Sequence, residues 1–116
     1  MKKLKSCLWE MANLRQRDTG LPMITYVSDG DGISHGPRIK VQRNYSTNKQ
    51  DDMFSVSIAE NPKVVAGDQG EISSKDLKKV FSFIGLNLDS LLKLWNLEIT
   101  EKEFLLTMRE YNGRGL

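Results

Sequence analysis

The residues best suited to chemistry in this chain gather between positions 28 and 43. The stretch SDGDGISHGPRIKVQR holds Asp29 and Asp31, the only histidine, His35, and a run of cationic and amide side chains: Arg38, Lys40, Gln42 and Arg43. Carboxylates alternating with turn residues are how a calcium loop begins. An EF-hand loop starting at Asp29 needs glycine at position 34 and an acidic ligand at position 40, where this chain has Ser34 and Lys40. Both flanks also read as strands rather than helices. The calcium reading fails, and neither a metal nor any other cofactor is expected.

His35 has the side chain whose ordinary pKa suits general acid–base work at neutral pH. A base needs a positioned partner and a substrate, and the sequence shows neither. Arg38, Lys40 and Gln42 alternate onto one face of a strand, where arginine could grip phosphate oxygens in a bidentate fork. With Arg43 they form a candidate RNA or DNA contact, although no aromatic stacking platform accompanies them. Cys7 is the sole cysteine, so one chain forms no disulfide and no cysteine-based zinc site. The chain has no glycine-rich phosphate loop, serine-nucleophile motif or paired-histidine spacing, so no enzyme signature is present.

The elements that must position these residues change period halfway along the chain. PMITYVS (22–28), GPRIKVQRNY (36–45), MFSVSIAE (53–60) and KVVAG (63–67) read as strands, rich in β-branched and aromatic residues. Phe54, Val56 and Ile58 alternate with Ser55, Ser57 and Ala59, which predicts one buried face and one wet face. The two Asp-Gly pairs read as the flexible tip of a hairpin joining the first two strands.

From Ser73 onward the spacing is helical. Ser73 with Asp76, and Thr100 with Glu103, resemble capping boxes. Leu77, Val80, Phe81 and Ile84 mark one helix face, and Leu88, Leu91, Leu92 and Trp95 the next. Gly85 either breaks or bends the run between them. Phe104, Leu105, Met108 and Tyr111 form the stripe of a last helix, ended by Asn112-Gly113. Leu86 and Leu94 widen the apolar arc around Trp95, which marks either a partner surface or deep burial. Strands followed by helices predict an α+β domain, a small antiparallel sheet of three or four strands covered by two or three C-terminal helices.

At 116 residues the chain has the length of one domain, here placed at 21–112, with 1–20 as an N-terminal extension and 113–116 as a tail. Its net charge of +2 conceals an asymmetry. Residues 1–50 carry nine Lys or Arg against four Asp or Glu, whereas residues 51–116 carry eight against eleven. A basic front half permits attraction to nucleic acid or to an acidic protein surface without choosing between them. No apolar run approaches membrane-spanning length, and Glu10 and Asn13 interrupt any signal-peptide core. A cytoplasmic protein is expected.

Three segments, GLPMITYVS, HGPRIKV and LKKVFSFIGLNLDSLLKLWNLEIT, give the chain a resemblance to the bacterial and mobile-element family known as domain of unknown function 4160. The resemblance covers about residues 20–110 and is most specific at Leu-Leu-Lys-x-Trp-Asn. It implies a small α+β domain in a phage or toxin–antitoxin-like setting. Members carry several histidines in the segment matching 35–41, whereas His35 stands alone here, followed by Gly36-Pro37-Arg38.

The leading expectation is therefore a non-enzymatic module that binds a macromolecular partner, a protein, with Trp95 among the contact residues. The second is an RNA- or DNA-binding protein that uses Arg38, Lys40, Gln42 and Arg43. The third is a small nuclease-like toxin that depends on His35 with Arg38.

Overall fold

The computed structural model describes residues 12–14, 16–30, 35–45 and 52–109. Five strands form one sheet in chain order: β1 (Ala12–Leu14), β2 (Thr25–Val27), β3 (Arg38–Gln42), β4 (Met53–Ser57) and β5 (Val64–Ala66), each antiparallel to the next. A short helix, α1 (Gln16–Thr19), links the first two strands. Three helices follow the sheet: α2 (Ser74–Leu86), α3 (Leu88–Trp95) and α4 (Glu101–Thr107). This is the expected α+β arrangement, with one more strand drawn from the N-terminal extension. Leu14 of that strand is fully buried. Among the described residues no helix is long and apolar enough to cross a membrane.

Cross-strand register sorts the sheet into two faces. Thr25 pairs with Val41 and Val41 with Phe54, while Ile39 pairs with Val56. The apolar members of this face join Val80, Phe83, Ile84, Leu91, Leu94 and Phe104 of the helices in the main core. On the other face Tyr26 pairs with Lys40, Lys40 with Ser55, and Gln42 with Met53. That face is not wet. Tyr26, Gln42 and Ser55 are buried, and Ile24, Tyr26 and Met53 form a second small apolar cluster. Alternation alone reads small polar side chains as solvent-facing, but hydroxyl and amide groups enter a protein interior wherever they find partners.

The helices begin as their caps dictate. Ser73 Oγ accepts a hydrogen bond from the Asp76 N–H, 3.0 Å away. The reciprocal half of that box is replaced: the Ser73 N–H donates to Tyr45 Oη, and Tyr45 Oη–H donates to Asp76 Oδ2 at 2.6 Å. Thr100 and Glu103 form the complete capping box. The buried stripe of α2 runs through Val80, Phe83 and Ile84, with Leu77 and Phe81 only partly buried. Helix α2 ends one residue beyond Gly85, whose flank is open.

Asn87 makes the corner between α2 and α3. Its Nδ2 donates to the carbonyls of Phe83 (3.0 Å) and Arg109 (2.8 Å), and its Oδ1 accepts from the Arg109 N–H at 2.7 Å. One buried amide thus ties the helix corner to the chain just past α4. At the far end of α3, the Leu97 N–H bonds to the Leu94 carbonyl and the Glu98 N–H to the Lys93 carbonyl. This is the doubly bonded helix ending in which glycine is favoured at the left-handed position. Leu97 occupies that position with φ of 65°. A residue with a β-carbon there costs about 1 kcal/mol.

Candidate contact surfaces

His35 and Trp95, sixty residues apart in sequence, meet at one corner of the molecule. Their rings are 6.1 Å apart at an interplanar angle of 28°, within the range of offset aromatic stacking. The strand connection is pressed onto the end of α3. The Gly30 N–H donates to the Trp95 carbonyl at 2.8 Å. A β-carbon on Gly30 would lie 2.7 Å from both Trp95 Nε1 and that carbonyl oxygen, so only glycine fits. The tip of this connection, residues 31–34, lies outside the described residues.

The His35 ring is exposed, and Nδ1 lies 3.3 Å from the Gly36 carbonyl, which also accepts a bond from Arg38 Nε at 3.4 Å. No carboxylate among the described residues orients the imidazole, and no group of three or more His, Cys, Asp or Glu gathers there. Trp95 is largely buried, as are Leu91 and Leu94. The wide apolar arc of α3 therefore serves the core, and Trp95 anchors a loop more than it presents a surface.

The basic strand face does not assemble as a phosphate-binding stripe. Gln42, expected beside Arg38 and Lys40 on the surface, is completely buried, and its Nε2 donates to Asn44 Oδ1 at 2.9 Å. Asn44 Nδ2 donates in turn to Asp52 Oδ2 at 3.1 Å. Arg43 is also committed. Its Nη1 meets Asp52 Oδ1 at 2.7 Å, Nη2 meets Asp68 Oδ1 at 2.8 Å, and Nε donates to the Asp68 carbonyl. Hydrogen bonds to Asp68 and Asp52 raise the guanidinium's pKa further. The same bond from Arg43, with one from the Gly70 N–H, holds Asp68 below the usual carboxylate value.

Gly70, at φ of 57°, lies so close to Arg43 that a β-carbon would come 2.8 Å from the arginine's Cβ and carbonyl oxygen. The pair of carboxylates makes Arg43 a clasp between β3, β4 and the loop before α2. Arg38 and Lys40 remain partly buried on β3, and among the described residues neither forms an ion pair.

Among the described residues the largest apolar exposure lies instead on the last helix and in the loop that leads to it. Leu106 is 74% exposed, Leu97 58% and Leu105 46%. Leu106 lines an open groove of about 350 Å³ between α3 and α4, together with Ser90, Lys93, Ile99, Glu103 and Thr107. The Glu98–Lys93 backbone bond ties the loop carrying Leu97 to the wall of that groove. In the sequence Leu105 reads as part of a core stripe, because Phe104-Leu105-Leu106 offers three apolar neighbours. In α4 only Phe104 is buried. Seven residues make two turns, so one large side chain fills the space beneath the helix and its neighbours point outward. Tyr111, counted in that stripe, and Cys7 lie outside the described residues.

The chain matches no protein-family model, no curated protein and no solved structure.

Proposed function

We propose that this chain is a non-enzymatic protein-interaction module whose contact surface is the α3–α4 face. The observation that carries the reading is Leu106, the most exposed large apolar side chain among the described residues, set in the wall of the groove between α3 and α4. Exposed leucines scattered singly are ordinary, whereas an exposed leucine in the wall of a groove with polar residues on its rim favours a protein contact. Leu97 adds to this. It is exposed and held in a backbone conformation that favours glycine, and a strained side chain that contributes nothing to the core points to a role outside it.

The nucleic-acid reading is less well supported, because Gln42 is sequestered and Arg43 is neutralised by two carboxylates. The His35 toxin reading lacks an orienting carboxylate among the described residues. A phage or toxin–antitoxin-like setting, as the family resemblance implies, accommodates a small binding module of this kind.

Amine-reactive cross-linking of complexes isolated from the native host tests the proposal. Intermolecular protein cross-links should concentrate at Lys93 and Lys102 and disappear in L106E. Cross-links confined to Lys40 on the sheet, or nucleic acid photo-cross-linked to β3, would overturn it.

A further inference from the structure

We propose that Asp29-Gly30 is a one-way modification site, stable while Gly30 is bonded to Trp95 and isomerised to isoaspartate when that contact opens. The inference is independent of the α3–α4 face. An Asp-Gly pair carries its own reactants. The Gly30 nitrogen loses its proton to water and attacks Cγ of Asp29, and one carboxyl oxygen leaves as water, closing a five-membered imide. Water then breaks the bond from the Asp29 main-chain carbonyl to that nitrogen, so the chain afterwards runs through Cβ and Cγ. One water is lost and one regained, and nothing is oxidised or reduced.

The fold sets both the protection and its failure. While the contact is closed, the Gly30 N–H donates to the Trp95 carbonyl at 2.8 Å. That bond retains the proton that must leave and keeps the nitrogen from turning onto Cγ. The His35 ring stacks on the Trp95 indole with centroids 6.1 Å apart, so Gly30 and His35 both fasten the strand connection to Trp95. Asp29 is only half-buried, and water reaches it once the contact parts. The close approach to Trp95 admits only glycine, and glycine, lacking a side chain, leaves a preceding aspartate most open to ring closure. The requirement that builds the contact therefore makes the bond labile when the contact is lost. Reclosure does not undo the change. An added main-chain carbon displaces the Gly30 N–H from its acceptor, in a space without room for a β-carbon.

Ageing of the full chain at neutral pH and physiological temperature tests the proposal. Peptide mapping with electron-transfer fragmentation locates isoaspartate and separates Asp29 from Asp31. Native wild type should convert at Asp29 more slowly, by about tenfold or more, than the same chain in guanidinium chloride, because only the open fraction reacts. H35A keeps the reacting pair but removes the stack, so its native rate should rise by about twofold to tenfold, the contribution of one aromatic pair. Hydrogen exchange at the Gly30 amide should quicken by the same factor, since both processes measure one opening. The isolated isoaspartate form should show shifted tryptophan emission.

Equal rates in the native and denatured chain overturn the protection. An H35A rate equal to that of wild type, or faster Gly30 exchange without faster conversion, overturns the Trp95 contact as its control. An isoaspartate form that keeps the wild-type emission overturns the one-way step. Should H35A lose the native circular dichroism spectrum, wild type in sub-denaturing guanidinium chloride supplies the same comparison. Conversion and Gly30 exchange must rise together there, and a rise in exchange alone overturns the proposal.

Discussion

At the scale of single residues, the positions most suggestive of chemistry turn out to hold the structure together. Arg43 is the clearest example. A cation at the end of a basic strand invites a phosphate, but Asp52 and Asp68 reach it from nine and twenty-five residues away. Nothing local in the sequence announces that pairing, because ion pairs of long sequence separation have no period. Gln42 departs from its expected surface position for a different reason. Alternation along β3 correctly set it on the face of Arg38 and Lys40, but a period of two says which face and not whether that face is covered. Gly30 is the position where the sequence held a usable signal, since Asp-Gly implied a special backbone; its true constraint is the Trp95 indole. Gly30→Ala should destabilise the fold by about 1–3 kcal/mol through overpacking. Tryptophan fluorescence should shift at the same time, because the loop must lift from Trp95. A variant that unfolds at the wild-type urea concentration with unaltered emission would show that the contact is not maintained in solution.

Elements were more legible than sites. The change from period two to helical spacing, the cap at Thr100 and the run of strands all follow from local sequence, and the structure holds the expected strands within their runs. The last helix instead ends at Thr107 with Met108 already extended, short of the expected stop at Asn112-Gly113. What escaped was the rotational setting of each helix. Phe83 and Leu94 are core residues although they lie off the anticipated stripes, because short helices packed on several sides bury more than one narrow face. Asn87 escaped entirely, since an asparagine between two helices reads as a turn and not as an amide bonded to both ends of a corner. Strand β1 escaped because three residues show no alternation.

The ending of α3 yields a prediction at this scale. Leu97→Gly should stabilise the isolated chain by about 1 kcal/mol, as the left-handed position is relieved of its β-carbon. The same change should weaken association through the α3–α4 face. Urea denaturation at a concentration low enough to dissociate any complex separates the two effects. A loss of stability on that substitution would mean that Leu97 packs within its own chain.

Across the whole molecule, the sheet and helices are joined by charge as well as by the core. Tyr45 reaches from beyond β3 to the first turn of α2, and its hydroxyl is the main cause holding the Asp76 carboxyl below the usual carboxylate value, with help from Lys79. A carboxylate whose folded pKa is depressed contributes stability above its unfolded value of about 3.9 and loses it as pH falls through the folded value. Tyr45→Phe should therefore lower the urea midpoint at neutral pH, and the gap from wild type should narrow as the pH falls below the ordinary carboxylate range and Asp76 becomes protonated. A gap that persists undiminished in acid would assign the effect to ring packing instead of the hydrogen bond.

The strictly sequential order of the sheet also bears on how the chain comes into being. Among the described residues each strand pairs only with the strand before and after it, so the described sheet draws on nothing beyond residue 66. The cover over Ile39, Val41, Phe54 and Val56 is supplied by helices that begin at residue 74. During synthesis from the N-terminus, those four side chains are made before any helix that can shelter them. At about 5–20 residues per second, the nascent chain carries a bare apolar sheet face for several seconds. That interval, rather than the finished surface, is when this protein is most exposed to aggregation and most in need of a chaperone.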